Sequence, residues 1–179
     1  MTKSAQLPEN HLDATEAKWF AVYTKYKREK IIQKDLTRQG IQAYLPIQQL
    51  TRIYASKKKK VEMPLISCYI FVKITKAEYL SVLQTESVVN FVRIAKNLIS
   101  IPEREMEIMR KVVGEGIPVT AEPSSAFHKG DRVEIVGGNL TGLSGVLIDN
   151  HGDKEVIIDL ESMGYSLRMT LEAKFLRKL

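Results

Sequence analysis

Apolar residues recur at two different periods along this chain, and the changes of period mark out its elements. "WFAVYT", from Trp19, is rich in β-formers and predicts a strand. "KREKIIQKDLTRQ" predicts a helix from Lys27 to Gln39, with Ile32 and Leu36 four apart toward a core and Gly40 placed to end it. "IQAYLP" reads as a short strand stopped by Pro46, and "QQLTRIYASKKKKVEMP" as a hairpin whose tip carries Lys57, Lys58, Lys59 and Lys60. "SCYIFVKI" alternates, with Cys68, Ile70, Val72 and Ile74 on one face and Tyr69, Phe71 and Lys73 on the other, and large apolar side chains in both sets predict a strand covered on each face.

Thr75 lies three residues before Glu78, a capping-box spacing that opens a short helix bearing Leu80 and Leu83. "VVNFVRI" predicts a strand. "SIPEREMEIMRKVV" predicts a helix with Pro102 near its first turn and Met106, Met109 and Val113 on one side. The composition then changes: "GEGIPVTAEPSSA" has no apolar period and reads as a linker. Beyond it five short β-type runs, "RVEIV", "GVLID", "EVIIDL", "YSLRMTL" and "FLRKL", alternate with turn residues. Five strands in so short a stretch predict a small curved barrel. The polar, aperiodic start reads as a disordered lead-in. The expected division is therefore a lead-in at 1–17, an α/β domain at 18–113, a linker at 114–126 and a β module at 127–179.

Charge adds direction to this layout. The net charge is +6, but residues 1–60 carry 13 Lys and Arg against 5 Asp and Glu, whereas residues 114–179 carry 7 against 10. Such asymmetry points to a polyanion met by the first part and not by the last. Lys27, Lys30, Lys34 and Arg38 recur three and four apart, which puts four cations on one expected helical face.

Other chemistry is sparse. Cys68 has no partner for a disulfide, and His11, His128 and His151 share no metal-ligand spacing with it, so neither metal nor cofactor is expected. No paired carboxylates or nucleophile–base set emerges, and no catalytic residue is assigned. No run of about 18 apolar residues is present, and the start lacks a signal peptide's layout, so a cytoplasmic chain without membrane contact is expected.

Half of the ten glycines fall in "GDRVEIVGGNLTGLSGVL", Gly130 to Leu147. A phosphate loop needs Lys and then Ser or Thr after its second glycine. Gly137 and Gly142 have the spacing, but Leu143 stands where the lysine belongs, and a strand rather than a helix follows. A strand, a turn tolerant of positive φ and a returning strand fit better. Gly130, Gly138, Gly142 and Gly145 are thus conformational.

"KGDRVEIVGGNLTGLSGVLI" resembles a KOW motif. "WFAVYTKYKREK", "PLISCYIFVKI" and "VVNFVRI…SIPEREMEIM" resemble, in order, the first strand and helix, the central strand, and the last strand and helix of the NusG N-terminal (NGN) domain. Together they identify the chain as similar to the NusG family. The resemblance implies an α+β NGN domain, an antiparallel sheet flanked by helices, followed by a small all-β, five-strand SH3-like KOW barrel.

It also implies an elongation or antitermination factor, not an enzyme, that grips the clamp helices of the largest RNA polymerase subunit and suppresses pausing or termination. Tyr23, Tyr69 and Phe71 match aromatic positions in or beside the polymerase-facing patch, with core packing the alternative for aromatic strand residues, and Ile94, Met106 and Met109 would complete the patch as exposed apolar residues. Ile66, Ser67 and Cys68 depart from the usual Phe, Pro and small residue; Ile66 would then make the polymerase contact in place of the Phe anchor, and the departure points to a specialised paralogue serving a restricted set of operons. Lys25 matches a basic position facing DNA, and Lys27, Lys30, Lys34 and Arg38 extend that surface. The KOW module is expected to dock a ribosomal protein or a termination factor, and the chain to be a monomer. The rival expectations are the family's housekeeping factor and a ribosome-associated RNA-binding KOW protein, whose positive charge should gather near the barrel.

Overall fold

A computed structural model describes residues 7–124, 130–150 and 152–179 of the chain. The first six residues of the expected lead-in, the end of the expected linker and start of the KOW module at 125–129, and His128 and His151 lie outside the described residues.

In chain order the elements are β1 (Lys18–Thr24), α1 (Glu29–Arg38), β2 (Gln42–Tyr44), β3 (Ile47–Tyr54), β4 (Lys57–Pro64), β5 (Tyr69–Ile74), α2 (Tyr79–Gln84), β6 (Val88–Phe91), α3 (Glu103–Gly114), β7 (Val119–Pro123), β8 (Asp131–Ile135), β9 (Ser144–Asn150), β10 (Asp153–Leu160), β11 (Tyr165–Thr170) and β12 (Leu176–Lys178). They divide between two compact units, one comprising residues up to Leu45 with Ser67–Pro102, the other Pro46–Ile66 with Glu103–Leu179.

The first unit is built on a four-stranded antiparallel sheet in the order β2-β5-β1-β6. Strand side chains alternate between faces, so Phe20 and Val22 of β1 share a face with Ile70, Val72 and Ile74 of β5. Ile32 and Leu36 of α1 and Val82 of α2 pack there with Phe91 and Leu98, forming one core. Phe20 meets Phe91 edge to face, with ring centroids 6.3 Å apart. The capping box is present: Glu78 Oε2 accepts from the Thr75 N–H at 2.8 Å. A 3-10 turn at Lys76–Glu78 precedes α2, however. Of the helix residues, Val82 is buried and Leu83 packs partly buried against the core, whereas Leu80 is exposed.

The described part of the lead-in is ordered. The Leu98 N–H donates to the Glu9 carbonyl, the His11 N–H to the Leu98 carbonyl, and the Lys76 N–H to the Asp13 carbonyl at 2.7 Å. The Asp13 carboxylate accepts from the N–H groups of Thr15 and Glu16, both at 2.8 Å, and these bonds lower its pKa to about 2. Backbone pairing and side-chain capping leave no apolar period, so composition alone reads such a segment as disordered.

The second unit holds a six-stranded antiparallel sheet in the order β12-β8-β9-β10-β11-β7, together with α3 and the two-stranded β3–β4 ribbon. The five expected strands are all present, and β7, inside the stretch read as a linker, is a sixth. Its residues 119–123 pair with 165–169. A buried side chain supplies what composition did not signal: the Gln48 amide donates to the Val119 carbonyl and accepts from the Val119 N–H, both at 2.9 Å, as a neighbouring strand's peptide would.

The glycine cluster is conformational in this unit. A Cβ on Gly145 would lie 2.5 Å from the Ile157 carbonyl oxygen of the adjacent strand, and Gly142 turns the chain at φ +86°. Gly130 opens the β8 strand where the Leu147 backbone passes close, and Gly138 has φ +68°.

Candidate functional site

The residues expected to act fall into three groups. The first is cationic. Lys25, Lys27, Lys30, Lys34 and Arg38 are all exposed. Helix α1 begins at Glu29, though, and Lys27 precedes it at φ +59°, so the helical face consists of Lys30, Lys34 and Arg38 at four-residue steps and not of four cations in register. Arg38 shares its charge with Asp35 at 3.0 Å, while Lys27 Nζ lies 5.2 Å from the Tyr26 ring centroid.

Glu29, buried in the first turn of α1, accepts from the Cys68 N–H at 2.9 Å, fixing the helix start against the loop before β5. A carboxylate there also complements the positive end of the helix. Cys68 itself has φ +64°, in the left-handed region that favours glycine.

The second group is apolar, and its expected exposure needs correction. Tyr23, at 40%, and Ile94, at 38%, are exposed, whereas Tyr69, Phe71, Ile66, Met106 and Met109 are buried. Nor do the seven belong to one unit: Tyr23, Tyr69, Phe71 and Ile94 lie in the first, Ile66, Met106 and Met109 in the second. Methionines 106 and 109 sit on the inward stripe of an amphipathic helix, where helical period alone cannot tell a core from a docking face. Tyr69 and Phe71 lie opposite Tyr23 and Ala21 across the β1–β5 ladder, on the face away from the aliphatic core.

Within the first unit, the Tyr69 hydroxyl donates to the Tyr23 hydroxyl at 2.8 Å, and the rings meet edge to face with centroids 4.7 Å apart. The buried ring thus holds the exposed one. Ile94 begins a tight turn, exchanging two backbone hydrogen bonds with Asn97 across Ala95 and Lys96, both at positive φ.

The third group was misplaced by sequence reasoning. Lys57–Lys60 are not a tip; Ala55 and Ser56 make the turn, and all four lysines lie on β4. Alternation then divides them two to a face, Lys57 and Lys59 against Lys58 and Lys60. The eight-pair register sets Tyr54 opposite Lys57 and Arg52 opposite Lys59. Period-two counting out from a two-residue turn at Ala55–Ser56 was the signal that would have found this grouping.

Among the described residues no group of three or more His, Cys, Asp or Glu side chains is placed to hold a metal ion, and no helix is long and apolar enough to cross a membrane.

An antiparallel sheet with few helices, followed along the chain by a C-terminal sheet of antiparallel strands, defines the class of protein, and comparison with known proteins carries it to a family. Residues 17–110 match the family model "Transcription termination factor nusG". A structure of Thermotoga maritima NusG, which concerns an interaction between its domains, shares 21% identity, covers 93% of this chain and 99% of its own, and superposes with a TM-score of 0.58. A chain of the MjSpt4:Spt5 complex, in conformation B, shares 19% identity over 90% of this chain and 96% of its own, but at a TM-score of 0.31 that likeness does not carry to the fold. The family match spans more than half of the chain, which therefore belongs to the NusG family of non-enzymatic transcription factors.

Proposed function

We propose that this chain is an elongation and antitermination factor that binds RNA polymerase at the clamp helices of its largest subunit and suppresses pausing or termination, at a restricted set of operons. The observation that carries the reading is the wholly exposed cationic set of Lys25, Lys27, Lys30, Lys34 and Arg38 in a chain of this family. Phosphate neutralisation by these groups adds affinity that depends on salt and hardly on sequence, as suits a factor travelling along DNA.

Tyr23, braced by Tyr69, and Ile94 supply the exposed apolar contacts to polymerase in this reading. Phe71 in the first unit, and Ile66, Met106 and Met109 in the second, are buried and pack within the fold. The acidic KOW module docks a ribosomal protein or a termination factor, and the factor works as a monomer in the cytoplasm.

Co-purification with RNA polymerase, together with readthrough at pause and terminator sites, tests the proposal. The purified chain should be retained by polymerase and raise readthrough. Lys30→Glu combined with Lys34→Glu should weaken association with DNA-loaded polymerase more at low salt than at high salt. A chain that leaves polymerase recovery and readthrough unchanged overturns the reading.

A further inference from the structure

The β3–β4 ribbon has two faces of different chemistry. Near the turn one face presents Arg52, Tyr54, Lys57 and Lys59, all exposed, with Tyr54 at 51%. Toward its base the same face carries Leu50, Val61 and Met63, partly buried, and Gln48, buried. No acidic residue of the ribbon lies on it: Glu62 falls in the opposite set with Lys58 and Lys60. Residues two apart along a strand are about 6.8 Å apart, and directly opposed Cβ atoms about 5 Å. One aromatic ring and three cations therefore sit within the span of a nucleotide or two. Arg52 Nη2 donates to Met63 Sδ at 3.0 Å, rooting the exposed guanidinium on this face.

We infer that this ribbon face binds single-stranded RNA, with Tyr54 stacking on a base and Arg52, Lys57 and Lys59 meeting the phosphates. Charge complementarity selects a polyanion, and the exposed ring among the cations selects a strand whose bases are free to stack. The choice of RNA over DNA rests on the function proposed above, since the strand that leaves a transcribing polymerase unpaired is the transcript.

The test uses the purified full chain and fluorescence anisotropy with labelled oligo(U), oligo(dT) and a DNA duplex, each about 12 nucleotides or base pairs long. Oligo(U) should bind tightest. Lys57→Glu with Lys59→Glu should weaken it at least about 10-fold, and the dependence on salt between about 50 and 200 mM should become shallower. Tyr54→Ala should cost about 5- to 100-fold with the salt dependence unchanged, and Tyr54→Phe should restore binding.

The deciding control moves the same charge to the other face: Lys58→Glu with Lys60→Glu should cost less than about 3-fold. Equal losses from the two lysine pairs, no loss from Tyr54→Ala in a chain that melts as the parent does, or duplex or oligo(dT) binding weakened as much as oligo(U) binding by Lys57→Glu with Lys59→Glu would each overturn the inference. Because polymerase is absent from the assay, a failure to bind RNA does not touch polymerase recovery or readthrough, which test the proposed function independently.

Discussion

Strands β1 and β5 and strands β3 and β4 are both antiparallel pairs in unbroken register, six residue pairs in one and eight in the other, and the chain puts them to opposite uses. In β5 every residue is buried except the partly exposed Lys73. In the outer half of the ribbon every residue from Thr51 to Lys60 is exposed. The first pair derives its stability from what packs on it. The second, as a ribbon with two wet faces near its turn, holds mainly by its ladder and by the packing at its base. Backbone geometry is shared, so the side chains decide which pair anchors the fold and which is free to meet a partner.

Truncation should separate the two pairs most sharply. Phe20→Ala removes a fully buried ring from the centre of the first unit's core, and should lower unfolding free energy by about 3 to 5 kcal/mol. Ile53→Ala removes an exposed side chain from the ribbon and should shift it by no more than about 0.5 kcal/mol. Urea titration of both variants measures the difference, and comparable losses would mean that the ribbon is as much a part of a core as β1.

The same contrast explains what was legible in the sequence. Elements with one dry face announced themselves: Ile32 and Leu36 in α1, and the β-rich runs of β1 and β5, lie where their periods put them. Elements held by polar groups did not. Strand β7 depends on backbone pairing and on the Gln48 amide. The segment from Glu9 to Glu16 depends on backbone bonds and the Asp13 carboxylate. For the candidate site, exposure of the cations was legible because four adjacent lysines cannot pack inward. The burial of Tyr69, Phe71, Met106 and Met109 was not, because a docking face and a core face carry the same residues at the same period.

Helix α3 sharpens the comparison with a case lying between the extremes, a charged group that is buried. Glu105 Oε1 accepts from the Ser162 N–H at 3.1 Å, but its Oε2 is buried without a partner among the described residues. Burial pushes its pKa above the usual 4.5, helped by Glu161 and opposed by the Ser162 hydrogen bonds and Arg104. As pH rises, the unfolded chain therefore releases this proton first. The stabilising contribution is whole below 4.5, is lost progressively between 4.5 and the raised native value, and stays lost above it. Glu105→Gln should abolish that loss, so the variant should melt above the parent at neutral pH and converge with it in acid. Calorimetry across pH checks this, and parallel curves for the two chains would show that Glu105 does not titrate on unfolding.

A modest stabilising effect belongs to the ribbon's turn. Ala55 and Ser56 have φ +49° and +83°, the left-handed pattern that two-residue hairpin turns require and that Asn-Gly satisfies with least strain. Each ordinary residue held there costs roughly 1 kcal/mol, so Ala55→Asn with Ser56→Gly should strengthen the ribbon by about 1 kcal/mol and slow amide exchange at the ladder groups beside the turn about five-fold. The first unit's melting should not move, because none of its core residues changes. The substitution alters no cation and leaves Tyr54 in place, so it also divides two ways in which the ribbon face can meet RNA. If the face is already ordered, oligo(U) affinity stays as it was. If RNA must first order the turn, the stiffened variant binds tighter by that same factor, since the ordering has been met before the strand arrives.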